Sequence, residues 1–201
     1  MFPKLTETIA SFSEENISAD RKEVLQPLID YINQKVNDKE TIRLNFICTH
    51  NSRRSHLSQI WAQTMATHFG IKNVFCYSGG TEATAMFPKI AATLSNQGFD
   101  LLKLSETTNP VYAVKYAPNE PPIVCFSKEY SHAFNPKGNY AAVVTCNSAD
   151  EACPIVFGAE ARFPVKYDDP NAFDNTAFMD AKYAERSLQI GEEMWYVFGK
   201  V

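Results

Sequence analysis

The chain has 201 residues, 45% of them hydrophobic and 21% charged, which predicts a soluble globular protein long enough to bury one good core. A net charge of −4 argues against nucleic acid as the main partner. No stretch approaches the roughly 18 apolar residues of a membrane span, and Met1-Phe2-Pro3-Lys4-Leu5-Thr6-Glu7 lacks the basic-then-apolar pattern of a secretion signal, so the expectation is a cytoplasmic protein with no membrane partner.

Residues 1–40 predict a helical extension. Leu5, Ile9 and Phe12 suggest a short helix, and Ser18-Ala19-Asp20-Arg21 starts a longer one whose apolar stripe is Val24, Leu25, Leu28, Ile29, Ile32 and Val36. These helices are expected to pack on the main domain, residues 41–201, or to form a homodimer contact. The main domain opens with an apolar strand, Ile42 to Ile47, then Cys48-Thr49-His50-Asn51-Ser52-Arg53-Arg54-Ser55, then a helix with Leu57, Ile60, Trp61 and Thr64 or Met65 on one face. A second strand precedes Ser78-Gly79-Gly80, and Glu82 to Gly98 reads as an amphipathic helix stopped by Gly98. Val111–Tyr116 and Pro122–Ser127 read as a hairpin inserted at about 105–138. A strand at 140–145, a C-x6-C pair (Cys146 and Cys153), Tyr167-Asp168-Asp169-Pro170 and a helix from about Ala177 to Phe198 complete the chain. This order predicts an α/β fold, a mainly parallel sheet flanked by helices, with the ligand at the strand C-terminal ends.

Cysteine, five residues, then Arg-Ser, set between a strand and a helix, is the pattern an oxyanion needs. Backbone N–H groups of Thr49, His50, Asn51, Ser52, Arg53, Arg54 and Ser55 can ring the anion, a helix N-terminus adds partial positive charge, and a guanidinium offers two parallel hydrogen bonds. The same positive field favours the thiolate of Cys48, its nucleophilic form. Asp168 and Asp169 are candidate proton donors or turn residues. Cys146 and Cys153 are either reduced, partly buried thiols or a redox pair, and x6 is longer than the usual zinc spacing. Cys76 and Cys125 lie in apolar runs and read as core. No bound cofactor or metal is required.

Phe46 to Ser55 resembles the signature loop of the low-molecular-weight protein tyrosine phosphatases and of the thioredoxin-coupled arsenate reductases built on the same fold. Val74 to Ala83 is similar to the family's second strand and its turn, and Tyr167-Asp168-Asp169-Pro170 to its acid loop. Val143 to Pro154 resembles the reductase branch. The resemblance implies an arsenate reductase in which Arg54 clamps the oxyanion, Ser55 steadies Cys48 and Asp169 donates a proton. Cys146 and Cys153 carry the resulting disulfide to thioredoxin. The alternative it implies is a phosphatase hydrolysing phosphotyrosine or a small phosphate ester through a Cys48-phosphate. His50 stands where such loops usually have glycine, and Arg53 where they have an uncharged residue or cysteine. His50 either narrows the mouth or adds a titratable donor, and Arg53 reads as a solvated or structural arginine.

Overall fold

The computed structural model describes residues 1–152 and 155–201. A four-stranded parallel sheet forms the centre, in the order β2-β1-β6-β7: β1 is Ile42–Cys48, β2 Val74–Gly80, β6 Tyr140–Val144 and β7 Ala159–Pro164. β1 lies between two neighbours, and six of its seven residues are buried, so it reads as a near-continuous apolar run. The inserted segment makes a separate antiparallel sheet from β3 (Asp100–Lys103), β4 (Tyr112–Lys115) and β5 (Ile123–Cys125). The expected hairpin is therefore present, with β3 paired to its first strand.

Helix α1 (Pro3–Ala10) buries Leu5 and Ile9, and α2 (Ala19–Asn37) starts at Ser18, whose hydroxyl accepts from the Arg21 N–H at 3.3 Å. Leu5, Ile9, Leu25, Leu28, Ile29 and Ile32 belong to the same core as Leu44, Phe46, Ala141 and Val143 of the main sheet. This face is covered by α3 (Arg54–His68) and α6 (Met179–Gly199), with α4 (Pro88–Asn96) packed on α6. Trp61 of α3 is fully buried there, edge-on to Phe12 and Phe99 at centroid distances of 5.6 and 4.9 Å; a Trp61→Ala cavity would cost about 3–5 kcal/mol. On the opposite face, Ile47, Cys48, Tyr140, Ala142, Val144, Cys146, Ala149 and Val156 form a smaller cluster capped by α5 (Asn147–Ala152).

Two helix starts differ from the sequence reading. The helix expected over 82–98 begins at Pro88, because a residue before proline is pushed to extended backbone (Phe87 has φ −64°, ψ 130°) and proline suits the first helical position. Gly98 does stop it, at φ +101°. The last helix starts at Met179 rather than near Ala177. The outer edge of β2 is blunted by side chains and a loop. Gln63 donates to the Val74 carbonyl and accepts from the Cys76 N–H, Gln59 donates to the Cys76 carbonyl, and Asn135 to that of Ser78. Gly80 exchanges backbone hydrogen bonds with Lys128 and Tyr130. An edge so occupied is closed to strand addition.

Candidate active site

The loop between β1 and α3 is held by its carbonyl groups. That of Cys48 accepts from the Thr81 N–H (3.1 Å), that of Thr49 from the Glu82 N–H (3.0 Å), and that of Ser52 from the Phe87 N–H (3.0 Å). His50 accepts from the hydroxyls of Ser127 (2.8 Å) and Thr84 (3.2 Å). With its carbonyls turned outward, the loop leaves the N–H groups of residues 49–53 with no acceptor among the described residues. Successive inward N–H groups without a partner are the arrangement from which an anion-binding nest is built.

One residue in the loop takes the left-handed backbone, and it is Asn51 (φ +45°) rather than His50. Asparagine tolerates this region because its short amide bonds locally. Its Oδ1 accepts from the Lys128 N–H at 2.9 Å, and its Nδ2 donates to Ser55 Oγ at 2.8 Å. Ser55 Oγ lies 3.1 Å from Cys48 Sγ. With Asn51 filling an acceptor position on that oxygen, the hydroxyl proton is free to point at the sulfur, the arrangement that steadies a thiolate. His50 presents its ring at the rim, half exposed, with Nε2 3.7 Å from Glu82 Oε1. Gly80 ends β2 directly beneath the loop; a Cβ there would lie 2.5 Å from the Thr49 carbonyl oxygen and 2.7 Å from the Asn51 nitrogen.

Arg54 opens α3 and reaches across to the acid loop. Its Nη1 donates to the Tyr167 carbonyl at 2.9 Å and its Nη2 to Asp169 Oδ2 at 2.5 Å, while Nε is buried without a partner. Asp169 Oδ1 also accepts from the Asn171 N–H at 3.1 Å, capping the 3-10 turn Pro170–Phe173. The carboxylate therefore caps this turn and at the same time meets Arg54 of the loop. Asp168 points into solvent, its side chain 96% exposed. Arg53 turns away from the loop: Nε donates to Tyr183 Oη and Nη2 to Asp174 Oδ2, both at 2.7 Å, and the guanidinium lies 4.3 Å over the Phe87 ring. Among the loop residues named from the sequence, Arg53 offers the centre its backbone alone.

Cys146 follows β6 and reaches the rim of the same loop. Thr145 donates to the Ile47 carbonyl through its N–H (2.7 Å) and its hydroxyl (3.0 Å), tying the end of this strand to β1. Cys146 Sγ lies 3.5 Å from Thr49 Oγ1 and accepts from the Ala149 N–H at 3.4 Å, inside the cluster that includes Cys48. Both Cys48 and Cys146 are free thiols. Cys153, the other half of the C-x6-C pair, lies outside the described residues. Asp150 in the same segment pairs with Lys166 (2.5 Å) and with Arg162. Cys76 and Cys125 are buried, as expected, and burial pushes the Cys125 thiol up to about 12.

Two buried polar residues behind the loop escaped the sequence reading. Lys128 is 2% exposed; its Nζ donates to the Phe126 carbonyl at 3.1 Å and sits 4.4 Å over the Phe126 ring, and burial brings the ammonium down to about 8. His56, fully buried beside Ser78 Oγ at 3.3 Å, is pushed down to about 3 by burial and by the charge of Lys128. Lysine and histidine are ordinarily surface or half-exposed residues, so neither position signals burial from sequence. Among the described residues no group of side chains has the makings of a metal site, and no helix is long and apolar enough to cross a membrane.

Residues 43–114 match the family model described as low molecular weight phosphotyrosine protein phosphatase. No curated protein sequence gives a significant match. Among solved structures, a low molecular weight protein tyrosine phosphatase from T. tengcongensis is similar at 15% identity and a TM-score of 0.56, covering 80% of this chain and 100% of that one. A mutant of YwlE from Bacillus subtilis is similar at 13% and 0.54, over 79% and 97%. An arsenate reductase in a phosphate-binding state gives 14% and 0.49, over 80% and 99%. At such identities the likeness concerns architecture: the chain has the α/β fold, a parallel four-stranded sheet flanked by helices, of low-molecular-weight phosphatase-like proteins.

Proposed function

We propose that the protein is an arsenate reductase that works by a cysteine relay. The observation that carries this reading is the position of Cys146, whose sulfur lies against Thr49 in the cluster that holds Cys48. The hydrolytic step calls on no second thiol at the rim of the loop; a relay cannot run without one. Arsenate seats on the loop N–H groups, its oxygens taking the guanidinium of Arg54. The Cys48 thiolate attacks arsenic, and Asp169, which takes up a proton from solvent once the bound anion offsets the charge of Arg54, gives that proton to the departing oxygen, which leaves as water. Cys146 then attacks Cys48 Sγ. A Cys48–Cys146 disulfide forms, the electron pair of the sulfur–arsenic bond stays on arsenic, and arsenite is released. Cys153 attacks Cys146 Sγ, freeing Cys48 as thiolate and leaving a Cys146–Cys153 disulfide for thioredoxin to reduce. A disulfide between Cys146 and Cys153 needs their Cα atoms within about 7 Å.

The second reading is a phosphatase, favoured by the description of the family model that matches residues 43–114. In it Cys48 takes the phosphoryl group of an aryl or small phosphate ester, and water assisted by Asp169 releases it. The two part at Cys146→Ser. A reductase loses arsenite production and keeps aryl phosphate hydrolysis; equal loss of both activities would sink the relay.

A further inference from the structure

Two adjacent arginines clasp the acid loop at its two ends. Arg54 holds the near end, at the Tyr167 carbonyl and the Asp169 carboxylate. Arg53 holds the far end, at Asp174, immediately after the turn Pro170–Phe173 that Asp169 caps. The far clasp is closed on three sides. Tyr183 Oη accepts from Arg53 Nε and donates to Asp174 Oδ1 at 2.6 Å, Arg53 Nη2 takes Asp174 Oδ2, and Phe87 lies under the guanidinium. The Arg53 and Asp174 side chains are only 16% and 21% exposed, so this pair is shielded from the screening that makes surface ion pairs weak.

The two clasps respond differently to an oxyanion. An anion in the loop takes the Arg54 N–H groups that Tyr167 and Asp169 leave open, the unpartnered Nε among them, and its negative charge offsets the pull of the guanidinium on the Asp169 carboxylate. The near clasp weakens at the moment Asp169 is required beside the reacting oxygen. The far clasp touches no atom of the anion and is unaffected. We propose that Arg53, through Asp174 and Tyr183, is the positioning residue that keeps the Asp169 loop over the anion loop once an oxyanion has taken Arg54. This rests on the reading of residues 48–55 as an oxyanion loop with Asp169 as its proton donor.

The test is amide hydrogen exchange of the reduced protein, with and without saturating inorganic phosphate, in wild type, Arg53→Met, Arg53→Lys and Tyr183→Phe. The reporters are the N–H groups of Asn171 and Asp174, which bond to Asp169 Oδ1 and to the Asn171 carbonyl. In wild type they stay protected when phosphate is added. In Arg53→Met, exchange at 171–174 is expected to be about ten-fold faster than wild type with phosphate and within about three-fold of it without. Arg53→Lys restores part of the protection, and Tyr183→Phe, which keeps the ring packing, loses part of it. Faster exchange in Arg53→Met to the same extent with and without phosphate would overturn the proposal and leave Arg53 a general stabiliser. Phosphate that protects residues 49–55 but leaves 171–174 unchanged in every variant would overturn it too. No protection of 49–55 in wild type would overturn the oxyanion reading itself, a distinct result.

Discussion

Arg54 Nη2 meets Asp169 Oδ2 at 2.5 Å, so the group proposed to bind the oxyanion and the group proposed to protonate it hold each other. A bound anion and the Asp169 carboxylate compete for one guanidinium. Asp169→Asn is therefore expected to bind phosphate or arsenate several-fold more tightly while the chemical step slows by about 10²–10⁴. Phosphate titration and single-turnover kinetics on the same variant separate the two effects. An unchanged chemical step would remove Asp169 from the mechanism.

Gly80 is expected to tolerate no side chain. A Cβ would lie 2.4 Å from the Glu82 carbonyl oxygen and 2.5 Å from that of Thr49, both of them backbone atoms, the second an acceptor that fastens the loop. Gly80→Ala should cost about 1–3 kcal/mol in urea unfolding, and phosphate affinity should fall with it. Retained affinity would mean that the loop can shift without losing its N–H array.

Asn51 carries both a backbone and a side-chain role, and two substitutions divide them. Asn51→Gly keeps the left-handed conformation and loses the bonds to Lys128 and Ser55; Asn51→Ala loses both. The expected order of stability is wild type, then glycine, then alanine, with about 1–2 kcal/mol between the last two. Cys48 should alkylate more slowly at neutral pH in both variants, because Ser55 is no longer oriented. Iodoacetamide kinetics against pH check this.

Acid should destabilise the protein through His56. Its imidazole stays neutral in the folded state down to about pH 3, whereas in the unfolded chain it takes a proton below about pH 6.5. The unfolded state binds more protons across that window, so stability falls as pH drops from about 6.5, by up to about 1.4 kcal/mol per pH unit. Glu160, held low by Lys35, and Asp150, held low by Lys166, add to the loss at the acid end. Urea midpoints between pH 7 and 5 should fall less steeply in His56→Asn, and equal slopes would place the acid sensitivity elsewhere.

The anion loop, the strand before it and the helix after it were legible in the sequence because Cys48, Arg54 and Ser55 carry their meaning in local spacing. That Asp169 and Cys146 lie beside this loop was to be expected only from the likeness of their segments to a family. Strands β3 and β7 were not legible, since Asp100–Lys103 is mostly exposed and Ala159–Pro164 is an edge with two charged residues and a proline in six. The partners of the loop were equally hidden. Lys128 meets Asn51 from 77 positions away and Asp174 meets Arg53 from 121, and pairings at that separation leave no periodic trace. His50 illustrates the reverse case, a departure obvious in the sequence, while the left-handed residue of the loop is its neighbour Asn51.

The relay is tested most directly by a single turnover of the fully reduced protein with arsenate, followed by mass mapping of its disulfides. The account predicts stoichiometric arsenite and a Cys146–Cys153 bridge. Arsenate left unreduced, with every thiol still free and aryl phosphate hydrolysed, would contradict it and leave a phosphatase whose Cys146 is structural.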